Sequence, residues 1–160
     1  MIAYLGLGSN LGDRLAHLRE AVATLRDLDR SLAVSPVYVT APVGGPPQDP
    51  FFNCVVGLHT DLAPLELLSL AQRLERSAGR VRTVKDGPRT LDADLLLVDD
   101  VHIDTPSLTI PHPRLFERGF VLAPLEDLDP SLVPPAWRTT IAGAATLATD
   151  VVLLGSLDCS

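Results

Sequence analysis

Gly87-Pro88-Arg89-Thr90-Leu91-Asp92-Ala93-Asp94-Leu95-Leu96-Leu97-Val98 opens as a turn and closes as a buried strand. Gly-Pro punctuates the chain, and the apolar run after it has the length of a strand. Asp92 and Asp94 stand two residues apart at its start. In a strand such residues point to the same face, with Cα atoms about 6.5 Å apart. Carboxylates at that spacing can converge on Mg²⁺, a hard cation that takes one or two carboxylates with waters and phosphate oxygens. Two-metal phosphoryl-transfer sites hold their ions about 3.5–4 Å apart. Arg89 lies just upstream, and Arg80 and Arg82 lie in the loop before it. Guanidinium forks match phosphate oxygens in charge and geometry. The stretch therefore offers metal ligands and phosphate ligands together. The bland alternative is an exposed Asp-x-Asp at a strand end, salt-bridged to Arg89. The company of three arginines favours the site.

Reading upstream, Ile2 to Leu7 is a first, central strand, followed by a turn containing Gly6, Gly8, Ser9, Asn10, Leu11, Gly12 and Asp13. The turn lacks a dinucleotide fingerprint and a Walker lysine, so its glycines read as tight-turn and packing residues. Ser9, Asn10 and Asp13 are candidate caps for an amphipathic helix carrying Leu15, Leu18, Val22 and Leu25. Leu32 to Val39 is a second strand, with Pro36 marking an edge or a bulge. Ala41 to Pro50 holds four prolines and two glycines in ten residues, which excludes regular structure and suggests a lid. Phe51 to Thr60 is a third strand, antiparallel to the second. Asn53 inside it needs partners, either neighbouring backbone or a heterocyclic ligand. Asp61 caps a second helix from Ala63 to about Ser77, with Gln72 and Glu75 on one face and Gly79 ending it.

Downstream of the opening stretch, Asp99-Asp100 turns into a short hairpin from Val101 to about Ile103. His112 follows between two prolines, then Arg114, Arg118 and Phe120. The tail carries a short helix near Thr140 to Leu147 and an apolar Val151 to Leu154, and the segment Val151 to Ser160 is open to reading as a strand, a dimer contact or a tail. The order strand, helix, strand, strand, helix, strand is the ferredoxin-like βαββαβ arrangement. The expected class is α+β: an antiparallel sheet with both helices on one face, the other face free for ligands, and C-terminal additions.

The chain has 160 residues, enough for one domain with a sizeable core, and we read residues 1–160 as that domain. It is 46% hydrophobic but only 4% aromatic, so the core is aliphatic. A net charge of −7 argues against bulk nucleic-acid or anionic-membrane binding. Cys54 and Cys159 fit no metal spacing and suggest no disulfide framework. Neither a basic leader nor a run long enough to span a membrane stands out. The expectation is a cytoplasmic protein, with no nucleic-acid or membrane partner.

At this point the residues carry a family resemblance. Gly8-Ser9-Asn10-Leu11-Gly12-Asp13, Phe51-Phe52-Asn53, Gly79-Arg80-Val81-Arg82, the opening stretch from Gly87, Pro111-His112-Pro113-Arg114 and Arg118-Gly119-Phe120 occur in one continuous order. Together they resemble the 6-hydroxymethyl-7,8-dihydropterin pyrophosphokinases of folate biosynthesis, over residues 1 to about 135. The resemblance implies an enzyme that moves the β,γ-diphosphate of ATP to the pterin hydroxymethyl oxygen, releasing AMP; the expected state is a monomer, on no sequence signal of its own. It implies that Asp92 and Asp94 bind two Mg²⁺ ions, and that Arg80, Arg82, Arg89, His112 and Arg118 grip the phosphates. Gln72 and Glu75 would contact the nucleotide, with Leu95 and Thr109 near the adenine. Asn53 would hydrogen-bond the pterin and Phe120 would stack on it, with Thr40, Pro42, Val43 and Phe51 completing the pocket. The catalytic set is then Arg80, Arg82, Arg89, Asp92 and Asp94.

One position departs from the family pattern. Where the family usually places an aromatic residue before Gly-Pro-Arg, this chain has Asp86, in a loop one residue short. The resemblance therefore implies weaker pterin binding with the chemistry retained. Three rivals are a catalytically degenerate family member, a small-molecule sensor on the same fold and an RNA-binding module. The sensor leaves the paired aspartates beside arginines without a purpose. The RNA module wants exposed sheet aromatics and a basic balance.

Overall fold

The computed structural model describes residues 1–41, 47–79, 90–134 and 152–157. Its main sheet is built from β1 (Ile2–Ser9), β2 (Ala33–Val34), β3 (Val37–Thr40), β4 (Phe51–His59), β5 (Asp92–Val98) and β8 (Val152–Gly155). The strand order is β5-β1-β4-β3-β8, with β2 also paired to β4. Every pairing is antiparallel. This is the expected ferredoxin-like order with one strand added at the β3 edge. Strand is thus the reading that holds for the apolar tail. The short helix expected near Thr140 to Leu147 lies outside the described residues.

Helix α1 (Arg14–Leu28) begins where Asp13 accepts the Ala16 N–H at 3.1 Å, so Asp13 is the cap among the three candidates. Helix α2 (Pro64–Ser77) corrects the expected cap. Ala63 occupies the N-cap without a side-chain bond, and Pro64 opens the helix. Proline at that position has no N–H to satisfy, so Asp61 is not required. The Thr60 hydroxyl instead accepts the Leu62 N–H at 3.0 Å. Gly79 ends the helix at φ +74, in the left-handed region that favours glycine. Both helices pack on one face, α1 against β1 and β4, and α2 against β5. Leu5, Leu18, Leu25, Leu58 and Leu67, each 0% exposed, fill that aliphatic core.

The second expected strand divides into β2 and β3 at Ser35-Pro36. Proline cannot donate to the ladder, and the buried Ser35 hydroxyl takes over. It accepts the Val55 N–H at 2.8 Å and donates to the Pro36 carbonyl at 2.9 Å. Strand β1 runs two residues further than expected, so Gly6 and Gly8 lie in the strand rather than the turn. Gly12, at φ +73, is the turn glycine.

The other sheet face is not wholly free. Helix α3 (Gly119–Leu128), absent from the sequence reading, packs on β3 and β4. Val121, Leu122 and Leu125 form a second core there with Val55, Leu96, Leu97 and Leu115. Burying each such side chain is worth roughly 1.5–3 kcal/mol. Tyr38 donates its hydroxyl hydrogen to Asp127, fastening α3 to β3. A bulge in β5 helps build this core. Tyr4 pairs with Leu97 and Leu5 with Leu95, so Leu96 is the extra residue and Leu96 and Leu97 both serve the second face.

The expected hairpin also lies elsewhere. Strands β6 (Ile103–Asp104) and β7 (Thr109–Ile110) pair with each other in a separate two-stranded sheet. Thr105 and Leu108 close their turn through reciprocal backbone bonds. Among the described residues, no helix is long and apolar enough to cross a membrane.

Candidate active site

Strand alternation fixes which residues share the α3 face. Ala93 and Leu95 enter the helix-side core, so Asp92 and Asp94 point the opposite way. Register then aligns two rows across the sheet. Asp92 pairs with Gly8, Gly8 with Asn53, and Asn53 with Tyr38. Asp94 pairs with Gly6, and Gly6 with Val55. Gly6 and Gly8 form a floor that adds no side chains of its own, with the Leu96 side chain lying over Gly6 and the Asn53 amide over Gly8. Two strand spacings separate the Asp92 and Asn53 backbones by about 10 Å. Further along the face, α3 and its core close it off.

Each wall of the floor is held by specific contacts. Asn53 is buried, and its Nδ2 donates to the Thr40 hydroxyl at 2.6 Å. Its partner is therefore a cross-strand hydroxyl rather than neighbouring backbone. A Cβ placed on Gly8 would stand 2.5 Å from Asn53 Oδ1 and 3.5 Å from Phe51 Cδ1. Phe51, half-buried, pairs in register with Thr40. Thr40, Phe51 and Asn53 thus gather at one end of the floor.

At the other end, Arg118 reaches Asp94 with Nη1 3.9 Å from Oδ2. The guanidinium also lies 5.7 Å from the Phe120 ring centroid. That ion pair is long and partly exposed, so it aims the arginine more than it stabilises the fold. Arg118 is the N-cap residue of α3 and Phe120 lies in its first turn, so the helix delivers both. His112 comes to the outer edge of β5, where its N–H donates to the Leu96 carbonyl at 2.8 Å. Burial, with Arg118 and Arg114 next, pushes its imidazole below the usual histidine value, and Asp92 pulls the other way.

Not every expected residue joins this face. Leu95 is 4% exposed, with its side chain in the helix-side core. Gln72 is exposed and Glu75 half-buried on α2, across the sheet from the aspartates. Thr109 stands in β7, which lies beside β5. Pro42, Val43, Arg80, Arg82, Asp86 and Arg89 lie outside the described residues. Among the described residues no group of three or more His, Cys, Asp or Glu side chains is placed to hold a metal. The donors on the face are the two carboxylates, a set that suits Mg²⁺ completed by water and phosphate.

Two features of the site went unread in the sequence. Gly8 is the close-approach glycine under Asn53, which its place in a glycine-rich turn concealed. Asn10, 2% exposed, donates its amide to Gln48 Oε1 at 2.7 Å and to the Asp49 carbonyl at 3.0 Å. Arg14 donates to the Pro50 carbonyl at 2.9 Å and lies over the Phe52 ring at 3.9 Å. These contacts tie residues 48–50 of the Pro-rich connection to the turn after β1 and the start of α1. The signal was a polar Asn beside a capping Asp, with no role left for it in the helix.

The comparisons agree with this architecture. The family model for 7,8-dihydro-6-hydroxymethylpterin-pyrophosphokinase (HPPK) matches residues 4–130. The 2-amino-4-hydroxy-6-hydroxymethyldihydropteridine pyrophosphokinase of Bacillus subtilis is 49% identical over 129 residues, covering 79% of this chain and 77% of its own. The enzyme of that name from Pseudomonas aeruginosa is 44% identical over 137 residues, covering 84% and 85%. The crystal structure of Plasmodium falciparum HPPK-DHPS shares the fold with a TM-score of 0.53 at 16% identity, and the match covers 81% of this chain and 40% of that one. The matched span runs from β1 to just past α3 and includes both rows of the floor, and the chain belongs to the 7,8-dihydro-6-hydroxymethylpterin-pyrophosphokinase family.

Proposed function

We propose that this chain transfers the β,γ-diphosphate of ATP to the hydroxymethyl oxygen of 6-hydroxymethyl-7,8-dihydropterin, with the reacting groups meeting on the glycine floor. The observation that carries the reading is the row Asp92, Gly8, Asn53. It sets a pair of carboxylates and a buried amide on one face, two strands apart in one row. The pterin hydroxyl attacks the β-phosphorus, a new C–O–P bond forms, and the bond to the bridging oxygen breaks. AMP leaves with that oxygen, and the hydroxyl proton passes to water.

Asp92 and Asp94 would hold Mg²⁺, two ions in this reading, which would neutralise phosphate charge and draw the two reactants together. Everything else falls to the side chains. Arg118, aimed by Asp94, binds the transferred phosphates through a charge-assisted contact. Arg80, Arg82 and Arg89 add positive charge, which a chain of net charge −7 must concentrate locally. Asn53, steadied by Thr40, reads the edge of the pterin, while Phe120 and Phe51 cover its rings, with Pro42 and Val43 completing the pocket. Gln72, Glu75, Thr109 and His112 serve the nucleotide from the β5 side, while the Leu95 side chain stays behind them in the helix-side core. In phosphoryl transfer such positioning and charge stabilisation is most of the catalysis. The reading includes a monomer at work in the cytoplasm, where ATP is at hand.

The deciding experiment is AMP release from ATP and Mg²⁺, with and without the pterin, beside an Asp94→Ala control. Pterin-dependent AMP that disappears in the control is the expected result. ATP binding without AMP would overturn the reading in favour of a degenerate family member, with Asp86 as the first position to restore to an aromatic.

A further inference from the structure

His112 is fixed by the backbone on three sides. Its N–H donates to the Leu96 carbonyl at 2.8 Å, and its carbonyl accepts the Leu115 N–H at 3.0 Å. The third contact involves the ring itself: the Arg114 backbone N–H donates to His112 Nδ1 at 3.2 Å. A nitrogen that accepts a hydrogen bond carries no proton. In a neutral imidazole the proton must then sit on Nε2.

From this geometry we propose that His112 is locked as the Nε2–H tautomer and serves the reaction as a neutral hydrogen-bond donor to an anionic oxygen of the nucleotide. The inference rests on the reading above that ATP binds along the β5 edge. It adds the form in which this histidine acts and excludes two others. The opposite tautomer would turn a lone pair toward phosphate oxygen, which repels it. An imidazolium would place a third positive charge beside Arg114 and Arg118.

The surroundings agree. Arg118 is itself paired with Asp94, and the Arg114 side chain turns to Glu117, with Nε 3.5 Å from Oε2. Asp92 is the opposing charge. Burial outweighs it and favours the uncharged ring. A neutral donor gives direction and selectivity where guanidiniums already provide charge. Because the locking group is a main-chain N–H, the tautomer does not depend on the identity of the side chain at position 114.

The test is nitrogen-15 NMR of the imidazoles in the intact protein at neutral pH. His112 is assigned by the signals missing from His112→Gln. The expected pattern is an unprotonated Nδ1 and a protonated Nε2. On adding a non-hydrolysable ATP analogue with Mg²⁺, the Nε2 signal should move and Nδ1 should stay. A protonated Nδ1, averaged tautomers or an imidazolium would overturn the proposal, as would an Nε2 signal blind to the analogue. A second measurement separates the donor from mere bulk. His112→Leu should raise KM for ATP roughly tenfold or more, the worth of one hydrogen bond to a charged group. His112→Gln, which keeps an N–H near the Nε2 position, should recover most of that loss. Equal damage in both variants counts against the donor role. The tautomer is measured before any nucleotide is added. A correct tautomer in a protein releasing no pterin-dependent AMP would therefore sink the proposed function and not the lock.

Discussion

Gly8 and Asn53 face each other across the β1–β4 ladder so closely that a Cβ at position 8 would stand 2.5 Å from Asn53 Oδ1. The amide can neither retreat nor rotate freely, because its Nδ2 is held by Thr40. Gly8→Ala must therefore displace Asn53. We expect pterin KM to rise about tenfold or more, as one buried hydrogen bond is misaligned, and ATP affinity to change little. Overpacking should cost roughly 1–3 kcal/mol of stability. Steady-state kinetics in both substrates, with a denaturant melt, checks both expectations. An unchanged pterin KM would remove Asn53 from the pocket.

Asp94→Asn tests the carboxylate end. The side chain is 41% exposed and its contact with Arg118 is 3.9 Å long. Loss of the charge should move stability by less than about 1 kcal/mol. Its effect on the rate should be far larger, a fall in kcat of roughly a hundredfold or more. A variant as active as the parent would place the metal site elsewhere.

Asp29 makes acid stability measurable. Its carboxylate accepts the Ser31 hydroxyl at 2.7 Å and the His59 N–H at 2.8 Å, joining the end of α1 to the end of β4. The Ser31 hydroxyl is the leading cause and the His59 N–H the next, and the pKa falls from 3.8 to about 2. A lowered carboxyl value means that the unfolded chain binds the proton more readily. The contribution is complete above the unfolded value and is lost as pH falls from about 4 to about 2. Urea midpoints across that range should drop less steeply in Asp29→Asn than in the parent. Parallel curves would contradict the assignment.

Ser35→Ala should harm the fold and spare the chemistry. Ser35 is 1% exposed, and without its hydroxyl the buried Val55 N–H loses its partner. The expected cost is roughly 1–3 kcal/mol. Pterin and ATP KM should stay near parental values at temperatures where the variant is folded. A melt unchanged from the parent would mean that another group satisfies the Val55 N–H.

Most of the framework was legible because its elements carry one clear period each. The strand-length apolar run of β5 after its Gly-Pro turn and the helical spacing of Leu15, Leu18, Val22 and Leu25 leave little choice. Helix α3 escaped because it is apolar nearly all round, with Gly119 at its start and Pro124 inside. Such a segment has no polar face to set a period, and its proline argues for a break. Burial against Leu96 and Leu97 outweighs that local preference. The Asp61 cap failed for the opposite reason: a proline already removed the orphan donor. At the site, the facing of Asp92 and Asp94 followed from spacing alone. The closeness of Gly8 to Asn53 did not, since cross-strand register cannot be read from residues far apart in sequence.

Strand β5 stands at the border of the sheet, and past its aspartates it is a run of Leu95, Leu96, Leu97 and Val98. Borders of this kind invite other chains to add themselves on, and charge is the usual deterrent. Here the His112 N–H occupies the Leu96 carbonyl, and two carboxylates guard the strand's entrance. The groups assigned to chemistry would then also keep the protein from self-association. A doubly neutral Asp92→Ala, Asp94→Ala chain should be lost to aggregates during expression before its inactivity could be measured. Enzymologists would do better to change one carboxylate at a time.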